Sequence, residues 1–559
     1  MERIFRIFGK GYDNLNQAAL LLGSFAFLSQ ILGLFRDRSI AHFIGPSTIL
    51  DTYYAAFRIP DLIFISIASL ASVTVIIPSI VARMHGDRVT DEARKFFNDI
   101  FTVFFIALVV ISAFAFVLMP ILVSFIAPGF APVYQEKVIM LSRIMLLSPI
   151  LMGLSNLFGT ITQLFRKFFI YSLSPIFYNL GIIIGVVFLY PIFDIYGLAY
   201  GVALGALAHF LIQILASNRY GFTPKFSSSI NFPDIKHAIL TSFPRTLGLA
   251  FNNIALISII ALASFLKAGS ISIFNLSLNL QSVPLNIIGV SYAVAAFPSL
   301  AKSFSKGKID DFKNHLKSAA RQIIFWSLPA TFLFIVLRAQ IVRVILGSGN
   351  FSWDNTRLVA ASLAIFSISV MAQGMVALLS RAYYARGDTK RPLIVNLLCS
   401  VLIVALSFLF TYVFRNIIFL RYFIESMLKV TDIPGTEVLM LPFAYSVGTI
   451  LNFILHWFFI KRDFMTGEVF ISKTFFQSLG ASFFIGFVAY LGLNVFSPIF
   501  GTSTFWGIFL QGFISGIIGI SAGVLVLHLL KSEELKDLVK ALRTHFWQAK
   551  IIAPPQEEL

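Results

Sequence analysis

The sequence predicts an all-α polytopic membrane protein of about 14 transmembrane helices, two six-helix lobes related by a pseudo-two-fold axis and a C-terminal helix pair. Three observations carry that prediction. Of 559 residues, 58% are hydrophobic and only 12% are charged, about half the charge of a soluble globular domain. Apolar runs of bilayer length recur along the chain with short polar joints between them. An internal repeat relates the first six runs to the next six.

Windows of about 19 apolar residues place the first six spans near 15–35, 52–82, 97–127, 138–164, 168–192 and 196–217. The second six fall near 237–266, 270–301, 319–347, 357–382, 392–414 and 438–460, and the last pair near 473–497 and 504–530. The first run, Leu15 to Phe35, is long and lacks a small-residue cleavage site before Arg36, so it reads as a retained span rather than a signal peptide. These spans divide the chain into an N-lobe at 1–218, a C-lobe at 219–465, the pair at 466–531 and a tail at 532–559. Residues 415–437 mix charges with Phe419, Phe423 and Met427 and read as an extracellular insertion with an interfacial helix. In the tail, Leu535, Leu538, Val539 and Leu542 alternate with basic residues at helical spacing, the pattern of a helix on the inner leaflet.

The charges give the topology. The excess of 43 Lys and Arg over 26 Asp and Glu would suggest nucleic acid in a soluble chain. Here the basic residues cluster in alternate joints, among them Arg83, Arg88, Arg94 and Lys95, then Arg166 and Lys167, then Arg219, Lys225 and Lys236. The positive-inside rule puts those joints and both termini in the cytoplasm. No nucleic-acid partner is expected. Cys399, the only cysteine, lies in an apolar run, so no intramolecular disulfide can form.

The repeat shows in three places. Pro78-Ser79-Ile80 recurs as Pro298-Ser299-Leu300, Gly129-Phe130 has a counterpart in Gly349-Asn350-Phe351, and Arg166, Pro175 and Asn179 recur as Arg386, Pro392 and Asn396. The offsets are all roughly 220 positions. Two parallel six-span halves place a binding site between the lobes. Pro60, Pro78, Pro284 and Pro298 interrupt the equivalent second and eighth spans, which predicts bent or broken helices there. Gly197, Gly201 and Gly205 form a G-x-x-x-G-x-x-x-G stripe on the sixth span, a close-packing signal, and Gly512 and Gly516 another on the fourteenth.

Charge inside such a chain is costly and marks function. Arg36 and Asp37 close the first span, and Asp51 and Arg58 open the second, Arg58 among Tyr53, Tyr54, Phe57, Ile59 and Leu62. These four are the candidate cavity residues, while Arg38 reads as an ordinary water-facing charge. Asn275 and Asn279 on span eight and Asn252 on span seven add a neutral polar lining. No Walker loop, clustered metal ligands or activated nucleophile stands out, so neither a cofactor, a metal nor an enzymatic reaction is expected.

Several stretches carry a resemblance. They are Ser29-Gln30-Ile31-Leu32-Gly33-Leu34-Phe35-Arg36-Asp37, Ala55-Ala56-Phe57-Arg58-Ile59-Pro60-Asp61, Ala127-Pro128-Gly129-Phe130, Phe297-Pro298-Ser299-Leu300 and Tyr383-Tyr384-Ala385-Arg386-Gly387-Asp388. Together they resemble the MurJ (MviN) lipid II flippases of the multidrug/oligosaccharidyl-lipid/polysaccharide exporter superfamily, over nearly the whole chain. The resemblance implies fourteen spans and alternating-access translocation of a polyprenyl-pyrophosphate-linked peptidoglycan precursor to the outer leaflet of the bacterial cytoplasmic membrane. It implies that Arg36 and Arg58 meet pyrophosphate and that Asp37 and Asp51 orient them or close a gate. Membrane lipids and cell-wall synthesis proteins are the implied partners. Gln30, Phe64, Ile65 and Asn279 stand where the family carries basic residues, and Ser69 and Leu70 replace an acidic-glycine element. A same-fold transporter of another lipid-linked oligosaccharide or amphiphile is the alternative, and a non-transporting scaffold for wall synthesis a further one.

Overall fold

The computed structural model describes residues 15–68, 73–85, 88–464, 472–501 and 504–547. In chain order the helices are α1 (Leu15–Phe43), α2 (Thr48–Ala56), α3 (Arg58–Ala68), α4 (Val73–Val81), α5 (Asp91–Ile126), α6 (Pro132–Met145), α7 (Leu147–Leu164), α8 (Phe168–Ile184), α9 (Tyr190–Phe193) and α10 (Ile195–Asn218). They continue as α11 (Phe232–Ala263), α12 (Ser270–Pro284), α13 (Ser291–Ser305), α14 (Ile309–Val336), α15 (Arg338–Leu346), α16 (Trp353–Ile368) and α17 (Val370–Ala385). Last come α18 (Lys390–Asn416), α19 (Ile418–Leu428), α20 (Met440–Phe464), α21 (Ser472–Phe500), α22 (Phe505–Leu529) and α23 (Glu533–Trp547). The described residues contain no strand, as the backbone of a lipid-embedded chain requires when no barrel is formed.

Ten helices among the described residues are long and apolar enough to cross a membrane, and eleven if α16 and α17, bent by 43° at a short break, are counted as one span. The other expected spans fall on α1, on the broken run α2 to α4, and on α11, whose apolar part is the shorter Ala250–Ala263. The break between α2 and α3 falls at Phe57 and has a covalent cause. Pro60 has no N–H for the carbonyl four residues back, that of Ala56, and the Ser142 hydroxyl on α6 donates to that carbonyl instead at 3.1 Å. On the equivalent eighth span, Pro284 is followed by a π-helical stretch, Leu285–Val290, the wider turn that often follows such an interruption.

Two compact units make up the structure. The first comprises residues 1–283, 342–366 and 388–452. Within it α8 and α10 meet backbone to backbone, as the glycine stripe predicts. A methyl on Gly201 would stand 2.4 Å from the Gly185 Cα, and one on Gly181 would stand 2.2 Å from the Gly205 Cα. The internal repeat appears as a reciprocal contact. The Gly129 amide donates to the Ser264 hydroxyl at 2.9 Å just past α11, and the Asn350 amide beside Gly349 donates to the His42 carbonyl at 3.0 Å near the end of α1. Each repeat therefore lays its glycine turn on the end of the other's first helix. Arg38 departs from expectation: it donates to the Val344 carbonyl at 2.6 Å and the Ile345 carbonyl at 3.2 Å. It thereby caps the negative end of α15 rather than facing water. In the insertion, α19 leaves Phe419, Tyr422, Phe423 and Met427 exposed while Glu425 is buried and bonded to Arg421 and Thr436.

The second unit comprises residues 284–341, 367–387 and 453–559. Its core joins α13, α14, α17 and α20 through Leu300, Phe312, Leu316, Ile323, Met375, Tyr383 and Ile460. The tail helix α23 is anchored at its start rather than simply afloat. Arg321 on α14 donates to Glu533 at 2.6 Å and to Glu534 at 2.7 Å, Thr474 on α21 donates to Glu534 at 2.6 Å, and Leu535 packs with Phe325, Ala481 and Leu527. Burial opposes ionisation of Glu534, but the donors from Thr474, its own amide, Ser532 and Arg321 hold its carboxyl below the ordinary glutamate range.

The glycine contact yields a direct prediction. Gly201→Ala should lower stability by about 1–3 kcal/mol, the typical cost of overpacking. Gly23→Ala, whose new methyl meets nothing within 4 Å, should be neutral or slightly stabilising. Thermal unfolding of both variants in detergent measures the contrast, and equal midpoints would refute the close-approach account.

Candidate functional site

The expected charges meet on one face of α12, within the first unit. Positions 272, 275 and 279 are three and four residues apart, so their side chains share one face of the helix. Each takes one charged residue of the N-terminal half, as follows.

Asp51 sits on α2, behind the Ser47 cap that accepts from the Leu50 amide at 3.3 Å. Its carboxylate accepts from the Gly269 amide at 2.7 Å, the Ser272 amide at 2.7 Å and the Ser272 hydroxyl at 2.6 Å. A helix N-terminus presents unpaired N–H groups and partial positive charge, so a buried carboxylate there is satisfied without a cation. Gly269 is obligatory in this turn: its φ is +92°, and a β-carbon would lie 3.2 Å from the Pro46 backbone.

Arg58 opens α3 immediately after the Phe57 break. Its guanidinium donates through Nη2 to Asn275 Oδ1, and Asn275 in turn donates to the Ile271 carbonyl at 2.8 Å. Among the described residues no carboxylate lies in salt-bridge contact with Arg58, and its Nε is buried with no hydrogen-bond partner. That is a half-buried arginine with an orphaned donor, its nearest countercharge being Asp61 one turn along α3, which interacts with it electrostatically without an ion-pair contact. An unpaired buried donor favours a guest that can accept from it.

Arg36 and Asp37 lie near the end of α1. Arg36 donates to Asp37 Oδ1 from Nε at 2.9 Å and from Nη2 at 2.7 Å, and from Nη1 to Asn179 Oδ1 on α8 at 3.1 Å. The other Asp37 oxygen accepts from Asn279 Nδ2 at 3.1 Å. The side chains of Arg36 and Asp37 are 24% and 4% exposed, so the arginine retains an accessible edge while the carboxylate does not. An arginine at position 279 would neutralise Asp37 independently. With Asn279 there, Asp37 relies on Arg36 for its countercharge.

Six of the seven expected site residues thus come together, as the Asp51, Arg58–Asn275 and Arg36–Asp37–Asn279 sets. Asn252 does not: it is exposed on α11 and shares no hydrogen bond with them. The sequence reading missed three participants. Asn179 was legible only as half of the repeated P-x-x-x-N step, whose other member, Asn396, accepts from Asn452 at 3.0 Å. Ser272 and Gly269 carried no signal beyond a turn. Tyr54 and Gln281, buried with unpartnered polar atoms, flank the set in sequence.

The family model described as "Lipid II flippase MurJ" matches residues 40–511. A "Probable lipid II flippase MurJ" of Thermotoga maritima is 26% identical over 518 residues, 92% of this chain and 96% of that protein. One of Rhizobium tropici is 28% identical over 388 residues, 67% of this chain and 71% of that protein. Among solved structures, "Lipid II flippase MurJ, inward closed conformation" aligns with a TM-score of 0.72 at 21% identity, covering 93% of this chain and all of that one. An inward-facing multidrug resistance MATE family transporter aligns at 0.62 and 15% identity over 80% of this chain. Both likenesses concern the fold.

The α12 contacts predict a graded response at position 51. Asp51→Ala strands three donors at a helix start and should cost about 2–4 kcal/mol, given ~1.5–3 kcal/mol for a single hydrogen bond to a charged group and partial access of water. Asp51→Asn keeps an acceptor and should lose less. Detergent-phase thermal unfolding ranks the two, and an Ala variant as stable as the parent would mean that the carboxylate does not hold α12.

Proposed function

The chain belongs to the lipid II flippase MurJ family, and from that premise we propose that it moves lipid II from the inner to the outer leaflet by alternating access. The observation that carries the reading is Arg58, buried at Nε without a hydrogen-bond partner and, among the described residues, without a contacting carboxylate, flanked by an Arg36 whose guanidinium is shared with one. A pyrophosphate supplies what Arg58 lacks, an acceptor for its orphaned Nε and a contacting negative charge, in a low-dielectric setting where arginine's planar fork binds bidentately.

The proposed cycle follows from the α12 face. With the site empty, Asp51, Arg58 and Asp37 each hold α12 through a neutral polar group. An arriving pyrophosphate competes for Arg58 against Asn275 and for Arg36 against Asp37. Loss of the Arg58–Asn275 contact weakens the grip of the N-terminal half on α12, which frees the opposite access path. Asp51, which meets only backbone and Ser272, acts as the gate contact that re-forms after release. Only a differential affinity of substrate for the two states can shift them, and here the difference lies in arginine contacts available after α12 parts.

The chain is a multi-pass membrane protein of a transporter family. Its proposed place is the bacterial cytoplasmic membrane with both termini inside, with lobes at 1–218 and 219–465, the lipid tail lying along α21 and α22, and cell-wall synthesis proteins as neighbours. One observation favours a second reading, another polyprenyl-linked glycan as cargo: Asn279 donates to Asp37 where the family resemblance implies an arginine, which leaves fewer cations for a sugar acid.

Arg58→Ala and Arg36→Ala, expressed at parental level in cells depleted of their own flippase, should reduce lipid II reaching the outer leaflet by roughly tenfold or more, the equivalent of losing one to two charged hydrogen bonds. Arg58→Lys should restore part of it. Undiminished translocation by both alanine variants would remove the assigned roles, and rescue of growth without lipid II reaching the outer leaflet would favour the second reading.

A further inference from the structure

A cavity rich in basic side chains lies at the far end of α5 from the Gly129 turn. This helix has 36 residues, roughly 54 Å at 1.5 Å per residue, against about 30 Å of hydrocarbon. Its first turns therefore stand outside the apolar layer. Thr90 caps it, accepting from the Ala93 amide at 3.1 Å. Asp91, Arg94, Lys95 and Asn98 then fall at helical spacing on one side.

The segment after α10 is fastened along that side by its own backbone. The Lys225 amide donates to Asn98 Oδ1 at 3.1 Å, the Ser227 amide to Thr102 Oγ1 at 2.9 Å and the Asn231 amide to Asp99 Oδ2 at 3.2 Å. Gly221, at φ +81°, lets the chain turn over Arg94, whose Nη2 would be 3.2 Å from any β-carbon there. Between helix and segment remains a cavity of about 680 Å³ lined by Arg94, Lys95, Lys225, Asn98 and Ser227 to Ser229. Asp91 is the one acidic lining residue, and it is engaged by Arg94 at 3.0 Å. Lys95 and Lys225 have no ion-pair partner among the described residues.

One flank of the cavity is apolar and open. Phe226, 64% exposed, packs its ring against Phe101 at 5.6 Å and Phe105 at 5.3 Å on α5. A cationic, hydroxyl-lined cavity beside an uncovered aromatic ring, where a helix passes from water into the apolar layer, matches a ligand with a phosphate at one end and a hydrocarbon chain at the other. Basic pockets at such boundaries bind anionic lipid head groups. We propose that this cavity binds the phosphate head group of an anionic membrane lipid, with Lys95 and Lys225 as its cationic anchors and Phe226 against the first part of the acyl chain. The site is separate from the Arg36 and Arg58 set and does not depend on its role.

Native mass spectrometry of the full-length protein, titrated with phosphatidylglycerol, with phosphatidylcholine and with glycerol 3-phosphate, tests this. The parent should retain phosphatidylglycerol in preference to phosphatidylcholine. Lys95→Gln with Lys225→Gln should weaken the first bound phosphatidylglycerol by about 25-fold, at roughly fivefold per basic residue near an anionic surface. Phe226→Ala should weaken phosphatidylglycerol but not glycerol 3-phosphate. Both lysines are exposed, so unchanged thermal unfolding verifies that the double variant is folded. Equal phosphatidylglycerol binding by parent and double variant overturns the site. Binding of glycerol 3-phosphate as tight as that of the lipid, insensitive to Phe226→Ala, overturns the lipid as its occupant in favour of a free phosphate compound.

Discussion

A charged group at bilayer depth is costly without a partner, and the candidate site in the first unit follows from how its few charges find partners in the protein. Three of them, Asp37, Asp51 and Arg58, find those partners on one face of α12. On α12 the partners are neutral, a helix start and a serine for Asp51 and one asparagine each for Arg58 and Asp37, while Asp37 is ion-paired only within its own helix, to Arg36. Neutral partners satisfy hydrogen-bond geometry without cancelling charge, so the contacts are specific yet replaceable by an ionic ligand. A site built from full ion pairs would be harder to open, because separating buried opposite charges costs several kcal/mol.

The same constraint shapes the backbone. Pro60 would leave the Ala56 carbonyl bare, and Ser142 covers it. The resulting break at Phe57 puts Arg58 at the start of a new helix, where its side chain reaches Asn275. Glycine has the complementary effect. Where α8 and α10 touch, the absence of side chains brings the backbones into contact, fixing the helix that carries Asn179. Asn179 in turn holds Arg36 in the orientation that grips Asp37. A proline, a serine and a glycine stripe remote from any ligand thus set the positions of both arginines.

Much of this was legible in the sequence, for identifiable reasons. Charges and glycines in apolar runs are rare enough to stand out, which is why Arg36, Asp37, Asp51, Arg58 and the α10 stripe could be named in advance. The repeat was legible because its glycine turns and prolines recur in register, and the reciprocal seats of Gly129 on Ser264 and of the Gly349 turn on His42 give that register a physical meaning. Amides were only partly legible. Asn275 and Asn279 lie on the charged face, whereas Asn252, a plausible equal by composition, is exposed on α11. Helical phase relative to a neighbour separates them, and phase depends on packing. Ser272, Gly269 and Asn179 act through groups that are unremarkable until a second helix approaches, and the same holds for Arg38, read as a solvated charge and found capping α15.

The central claim is that the grip of the N-terminal half on α12 must part in every transport cycle. It is tested most directly by a reversible crosslink at the same end of the molecule that spares the binding residues. His42 and Asn350 are joined by a backbone hydrogen bond of 3.0 Å, and the one native thiol, Cys399, is buried. In a His42→Cys, Asn350→Cys variant bridged by a short thiol crosslinker, the account predicts that lipid II still binds but no longer reaches the outer leaflet, and that releasing the bridge restores translocation. Undiminished translocation by the fully crosslinked protein would contradict it.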